Sequence, residues 1–218
     1  SSESIADTLI NGIFGRVTGD AGSRFVIAIG QAIFLVLFLI LYGDCIAARQ
    51  RIGAVYFFSR ISNRKKWILK EFVWLLFYSV LYTFCFVGMH MIFSIWGSSE
   101  ANLSGTLFKV AFQIGLFLTL LLFEMAVLCN LFCAAGGSAI GILFSMLGVI
   151  GLIMWSTAEV DGMVSEMINP MWLSADIIEN GGSYIQKIII VFLQTAICAV
   201  GTGYYLAKRD LFAREGEG

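Results

Sequence analysis

The chain has 218 residues, of which 59% are hydrophobic and 13% charged, and its net charge is −1. Soluble domains carry roughly 25% charged residues, and a soluble fold of this size has too little interior to hide so much apolar surface. With a mean hydropathy of +0.87, a conventional soluble domain is excluded and lipid is the expected solvent.

Residues 1–23 come first, with apolar side chains at Ile5, Leu9, Ile10, Ile13 and Phe14. That is helical spacing. It fits either a short amphipathic helix on the membrane surface or a loose external loop. Next come five stretches long enough to cross hydrocarbon as helices, which takes about 20 apolar residues each: residues 25–42, 72–96, 107–131, 134–155 and 185–207. Backbone polar groups in lipid must pair within their own segment. Runs such as Phe34 to Leu41 lack the alternation a barrel strand needs. The expected fold is therefore an all-α polytopic transmembrane helical bundle forming a single domain.

Basic residues set the expected orientation. Residues 43–71, between the first two spans, hold Arg49, Arg51, Arg60, Arg64, Lys65, Lys66 and Lys70, and residues 208–218 hold Lys208, Arg209 and Arg214. Five crossings put these two regions on one side. Residues 97–106 and 156–184 fall on the other side and contain no Lys or Arg. The expectation is a multi-pass plasma-membrane protein with a cytoplasmic basic loop and C-terminus. Residues 156–184 are broken by Asn169-Pro170 and read as two short helices dipping into the external interface. Asn180-Gly181-Gly182-Ser183 then caps the last span.

The basic connection carries the most information. Ile52, Val55, Tyr56 and Ser59 fall on one helical stripe rimmed by Arg49, Arg51 and Arg60, and Ser62-Asn63 is a candidate N-cap for the helix of the second span. Such a stripe suits either a cytosolic protein partner or anionic lipid. The run from Arg51-Ile52-Gly53 through Ser59-Arg60-Ile61-Ser62-Asn63-Arg64-Lys65-Lys66 resembles the second-to-third-helix connection of ABC-2 type transporter permeases. The long segment before the last span and the Lys208-Arg209-Asp210 ending are also similar to that family. This chain departs from the pattern at Ile61, where proline is common, and at Gln50-Arg51, where an acidic residue is common.

The resemblance implies a membrane-spanning permease subunit of the antimicrobial-peptide export or immunity kind. It would work as a dimer of permease copies with two separate ABC ATPase chains. Arg51, Ile52, Val55, Tyr56, Phe57, Ser59 and Arg60 would form the ATPase-coupling surface. ATP and Mg would sit on the partner ATPase, with no cofactor on this chain. A sixth span would precede Ser1. The rival expectation is a non-transporting membrane scaffold or sensor.

Inside the spans, ionisable and amide side chains are rare and are functional candidates. Glu124, Gln31 and Gln113 are assigned to a substrate path or to a helix latch, with Gln194 or Asn130 as partners for Glu124. Lys109 and Lys187 are expected to reach water by snorkelling. Gly137, Gly141, Ser145 and Gly148 place small residues where helices can approach closely, either within the chain or between two copies. The five cysteines read as reduced packing residues. No spacing suits a metal, no phosphate-binding Gly-Lys-Ser/Thr loop occurs, and no hydrolase or protease motif is present. No catalytic residue and no nucleic-acid partner is expected.

Overall fold

A computed structural model describes residues 9, 10, 13, 21–53, 64–97, 105–157, 178 and 181–208. Among them every regular element is an α-helix: α1 (Ala21–Tyr42), α2 (Cys45–Gly53), α3 (Arg64–Gly97), α4 (Gly105–Gly136), α5 (Ser138–Thr157) and α6 (Gly181–Lys208). Five helices among the described residues are long and apolar enough to cross a membrane.

The helices sort around α4. In its most apolar stretch 72% of the residues are buried, against 22–33% in the other four. From Leu121 to Val127 every side chain is buried, so α4 is enclosed on all sides over those two turns. The surrounding helices instead turn large apolar side chains outward, such as Leu37 on α1, Phe84 on α3, Phe144 on α5 and Ile197 on α6. In water such a surface would drive aggregation; in lipid it is the ordinary exterior.

Aromatic rings join α1 to α3 in antiparallel register. Phe34 meets Phe86 at 4.1 Å and Tyr82 at 5.1 Å between centroids. Phe38 meets Tyr82 at 5.2 Å, and Tyr42 meets Tyr78 at 4.9 Å. The Tyr82 hydroxyl donates to Phe34 O at 3.1 Å, so the polar tip of a ring inside the bundle finds a backbone acceptor.

The α4–α5 hairpin turns on one residue. Gly137 has φ +94°, a left-handed conformation that glycine adopts without a Cβ clash. Its N–H donates to Cys133 O at 3.0 Å, and its own carbonyl accepts from Gly141 N at 2.9 Å. One helix ends and the next begins at the same residue. Gly141, Ser145 and Val149 are buried at four-residue intervals along α5, while Leu143, Phe144, Leu147 and Ile150 face outward.

Both ends of α3 exceed the expected span of 72–96. The helix has 34 residues, about 50 Å at 1.5 Å per residue, against hydrocarbon about 30 Å thick. The surplus carries Arg64, Lys65, Lys66 and Lys70 beyond the apolar layer. Lys208 of α6 and the arginines of α2 lie at the same end, here termed the basic end. The stripe expected in residues 1–23 is described only at Leu9, Ile10 and Ile13, which are helical and buried in the core.

Candidate functional site

Two polar constructions stand out among the described residues, beside isolated buried hydroxyls such as Ser79, Thr83 and Ser94 of α3. The first fixes α2 at the basic end. The chain leaves α1 at Tyr42, turns through Gly43 and Asp44, and re-enters a helix at Cys45. Gly43 is required by packing: a Cβ there would fall 2.4 Å from Leu39 O and 2.7 Å from Cys129 Sγ. Asp44 stands at the N-cap, where a carboxylate ordinarily accepts from the first-turn N–H groups. Another helix supplies that acceptor. Asn130, wholly buried on α4, accepts from Ile46 N at 2.8 Å and Ala47 N at 3.2 Å through Oδ1. Its Nδ2 donates to Ala126 O at 2.8 Å.

Asp44 is thereby released for a second contact. Its Oδ2 accepts from the Ser138 hydroxyl at 2.8 Å and lies 3.9 Å from Arg51 Nη2. Arg51 also donates to Ser138 Oγ. On the other side of α2 from Arg51, Arg49 pairs with the buried Glu71 of α3. The short helix is thus held by α4 at its N-terminus, by the start of α5 along one side and by α3 along another. Cys129 and Cys133 lie beside this anchor with their sulfurs 3.9 Å apart, and all five cysteines are free.

The second construction is a polar seam between α4 and α6, which run parallel. The buried residues of α6 are Tyr184, Lys187, Val191, Thr195, Thr202 and Leu206. They recur at helical intervals and form one stripe, which is mostly polar. The Tyr184 hydroxyl donates to Gln113 O at 2.8 Å. Deeper in, Thr195 Oγ1 lies 3.3 Å from Glu124 Oε2 and 2.8 Å from Val191 O. The Cys198 thiol approaches Glu124 Oε1 at 3.8 Å. The buried Lys187 lies on the same stripe of α6, about two turns from Thr195, so an acidic and a basic side chain share one interface inside a membrane span, where ionisable groups are rare. The seam is incompletely satisfied: Gln113 Oε1 and Thr202 Oγ1 are buried without a hydrogen-bond partner.

Measured against the sequence-based expectations, the structure brings some residues together and separates others. Glu124 is buried and meets Thr195 and Cys198, whereas Asn130, expected beside it, belongs to the α2 anchor roughly 9 Å further along α4 at 1.5 Å per residue. Lys187 does not snorkel. It is 3% exposed, because it lies on the stripe of α6 that faces α4. Lys109 is exposed as expected. Gln31 is half-buried on α1, away from the seam.

The small-residue stripe divides. Gly141 is pressed against Cys133 of its own chain, where a Cβ would fall 2.3 Å from the Cys133 nitrogen. Ser145 donates to Gly141 O at 2.8 Å. Gly148 faces outward with nothing within 4 Å of a Cβ position. Of the coupling residues, Arg51 belongs to the α2 anchor and Ile52 lies in α2. Val55, Tyr56, Phe57, Ser59 and Arg60 lie outside the described residues, as do the Ser62-Asn63 cap and most of residues 156–184. Sequence reading missed Asp44 and Ser138. The Gly-Asp pair directly after an apolar run was the available signal, being a helix stop followed by a helix start.

These features define the chain as a polytopic α-helical membrane protein whose polar groups are concentrated at one helix anchor and one interhelical seam. The chain matches no family model, no curated protein and no solved structure.

Proposed function

We propose that this chain is the membrane-spanning permease subunit of an ABC transporter, driven by a separate ATPase chain that docks at the basic end. The observation that carries the reading is the anchoring of α2. A short helix between the first two spans, carrying Arg49 and Arg51, is tied at its N-terminus to α4 through Asn130 and to α5 through Asp44 and Ser138. A force on α2 would act on the α4–α5 hairpin directly. Arg51, Ile52, Val55, Tyr56, Phe57, Ser59 and Arg60 are then the docking surface, placed in the cytoplasm by the basic residues of this end.

ATP and Mg would be held by the partner, and this chain would contribute movement and a path. The cargo best suited to a bundle with so apolar an exterior is hydrophobic or amphipathic, an antimicrobial peptide being one such cargo. Two permease copies would meet through the outward face of α5, where Gly148 leaves room for a second backbone. Within one copy, Glu124 serves as a latch between α4 and α6, and Gln113 and Gln31 border the path.

The test is co-expression and co-purification of the full chain with a candidate ABC ATPase. The wild-type chain retains the ATPase through detergent extraction, and Tyr56→Asp with Phe57→Asp releases it while leaving the helical content unchanged. Retention of the ATPase by the double variant refutes the docking assignment. A chain that purifies alone and alters no nucleotide hydrolysis supports a scaffold instead.

A further inference from the structure

The basic end holds a pair of thiols that neither polar construction uses. Cys129 and Cys133 follow one another by about one turn on α4. Their sulfurs are 3.9 Å apart, and the residues are 0% and 1% exposed. A glycine from another part of the chain stands opposite each sulfur. A Cβ on Gly43, in the turn between α1 and α2, would fall 2.7 Å from Cys129 Sγ, and one on Gly141 of α5 would fall 2.6 Å from Cys133 Sγ. Cys133 Sγ approaches Ser138 O at 3.6 Å, and Cys129 Sγ approaches Gly141 O at 4.0 Å. Both sulfurs are thus seated where α4, α5 and the α1–α2 turn meet.

These sulfurs cannot join each other directly. Cβ atoms four residues apart on a helix are separated by about 5–6 Å, whereas a disulfide needs about 3.5–4.5 Å. A bridging ion closes the gap. Two bonds of about 2.3 Å, the thiolate distance of a d10 ion, span 3.9 Å at an angle of about 116°. Soft sulfur ligands select Cu(I), zinc and iron–sulfur clusters. Structural zinc takes four protein ligands, and iron–sulfur clusters are held by four. The described residues contain no group of three or more His, Cys, Asp or Glu able to hold a metal. Cu(I) is satisfied by two or three soft ligands, so of these it alone fits a site of two sulfurs.

We propose that Cys129 and Cys133 bind one Cu(I) ion. Both thiols release their protons as the two copper–sulfur bonds form, and copper keeps its oxidation state. Cys133 lies about 4.5 Å along α4 from Gly136, the last residue of the helix, so the site is close to the surface of the basic end. The rim there is polar. The Asp44 and Arg51 side chains are 30% and 46% exposed. Arg51 donates to the hydroxyl of Ser138, the residue whose carbonyl Cys133 approaches. That guanidinium offsets the single negative charge of a bis-thiolate copper complex, while the Asp44 carboxylate accepts from the Ser138 hydroxyl. Copper binding here is independent of the transporter reading.

The experiment is an anaerobic Cu(I) titration of the full chain in mild detergent, with bicinchoninate as competing chelator, followed by copper X-ray absorption. The variant Cys45→Ser with Cys85→Ser and Cys198→Ser keeps only the proposed pair. It is expected to withdraw one Cu(I) from the chelator and to show two sulfurs at about 2.3 Å or less. Adding Cys129→Ser or Cys133→Ser should weaken binding by more than the roughly 10–100-fold that loss of an outer-shell partner costs. Undiminished copper binding by either of these overturns the site. If they lose the helical content seen by circular dichroism, the copper shell of the parent variant decides: two sulfurs support the site, and one or none overturns it. Excess Zn(II) should leave the copper in place, and its displacement overturns the choice of ion.

Discussion

Replacing Gly141 by alanine tests the packing of the α4–α5 hairpin at its tightest point. The added Cβ would fall 2.3 Å from the Cys133 nitrogen, 2.4 Å from its Cα and 2.6 Å from its Sγ. Two of these three atoms are backbone, so no rotamer change relieves the overlap. The helices must separate by about 1 Å to restore an ordinary contact. Ser145 and Val149, on the same buried ridge, lose part of their packing as they do. Overpacking a filled interior costs about 1–3 kcal/mol, and a backbone clash places Gly141→Ala at about 3 kcal/mol, the upper end of that range. This is about a hundredfold in the unfolding equilibrium constant, at 1.4 kcal/mol per decade. The assay is SDS titration of the detergent-purified chain followed by circular dichroism. Cys133→Ala should not rescue the variant, because the nitrogen and Cα remain. Unfolding of Gly141→Ala at the wild-type midpoint would refute the close approach, and with it the one-residue hairpin.

Gly148→Ala meets nothing within 4 Å and should stabilise the monomer by up to about 1 kcal/mol through helix propensity; if a second copy packs on this face, cross-linking will show a lower dimer fraction in the same variant. Asn130→Ala removes both acceptor contacts from the first turn of α2 and should cost about 1–2 kcal/mol, with faster hydrogen exchange at Ile46 and Ala47 and little change in α6. Glu124→Ala empties a buried position between α4 and α6 and removes the acceptor that Thr195 and Cys198 approach, and should cost about 1–3 kcal/mol, whereas Glu124→Gln keeps an oxygen there and should cost less; loss of transport with unchanged stability in Glu124→Gln would assign the residue to the path. Tyr184→Phe deletes one hydrogen bond across the seam and should cost about 0.6 kcal/mol, a typical value for such bonds in membrane helices, read from the same SDS titration.

The spans were legible because lipid imposes a simple rule, that a crossing segment must be apolar and internally hydrogen-bonded. The five helices accordingly fall on the five apolar runs. What the rule does not specify is rotation. Phe144 and Val149 are both apolar residues of α5, yet one faces outward and the other is buried, and hydropathy cannot separate them. The same blindness hides Lys187: its distance from the helix end suggests water within reach, but its azimuth decides its fate. A usable signal exists in the run Tyr184, Lys187, Thr195 and Thr202. In lipid the polar face of a helix is the inward face, so polar residues recurring every three or four positions mark the interior. Asn130 is harder to read, because its partners are the N–H groups of a helix more than eighty positions away.

The two polar constructions share one helix. Asn130 and Glu124 are both buried on α4, less than two turns apart at 3.6 residues per turn, and α4 is the most enclosed element of the bundle. A close-packed interior deforms little before it rearranges, so displacement of α2 cannot be absorbed locally by soft neighbours. It must either break the Asn130 cap or move α4. Breaking the cap leaves two buried first-turn N–H groups and Asn130 Oδ1 without partners, at about 1–3 kcal/mol for each group. Moving α4 against α6 strains the Tyr184 bond to Gln113 O at 2.8 Å and the longer contacts of Glu124, at 3.3 Å to Thr195 and 3.8 Å to Cys198. The long contacts around Glu124 should yield first, so a load applied at α2 is expected to part α4 from α6 there before it detaches α2. Spin labels paired at Leu128 and Val200, beside the Glu124 contacts but outside them, would move apart under such a load, while a pair at Ala48 and Phe132, which leaves the Asn130 cap intact, would not.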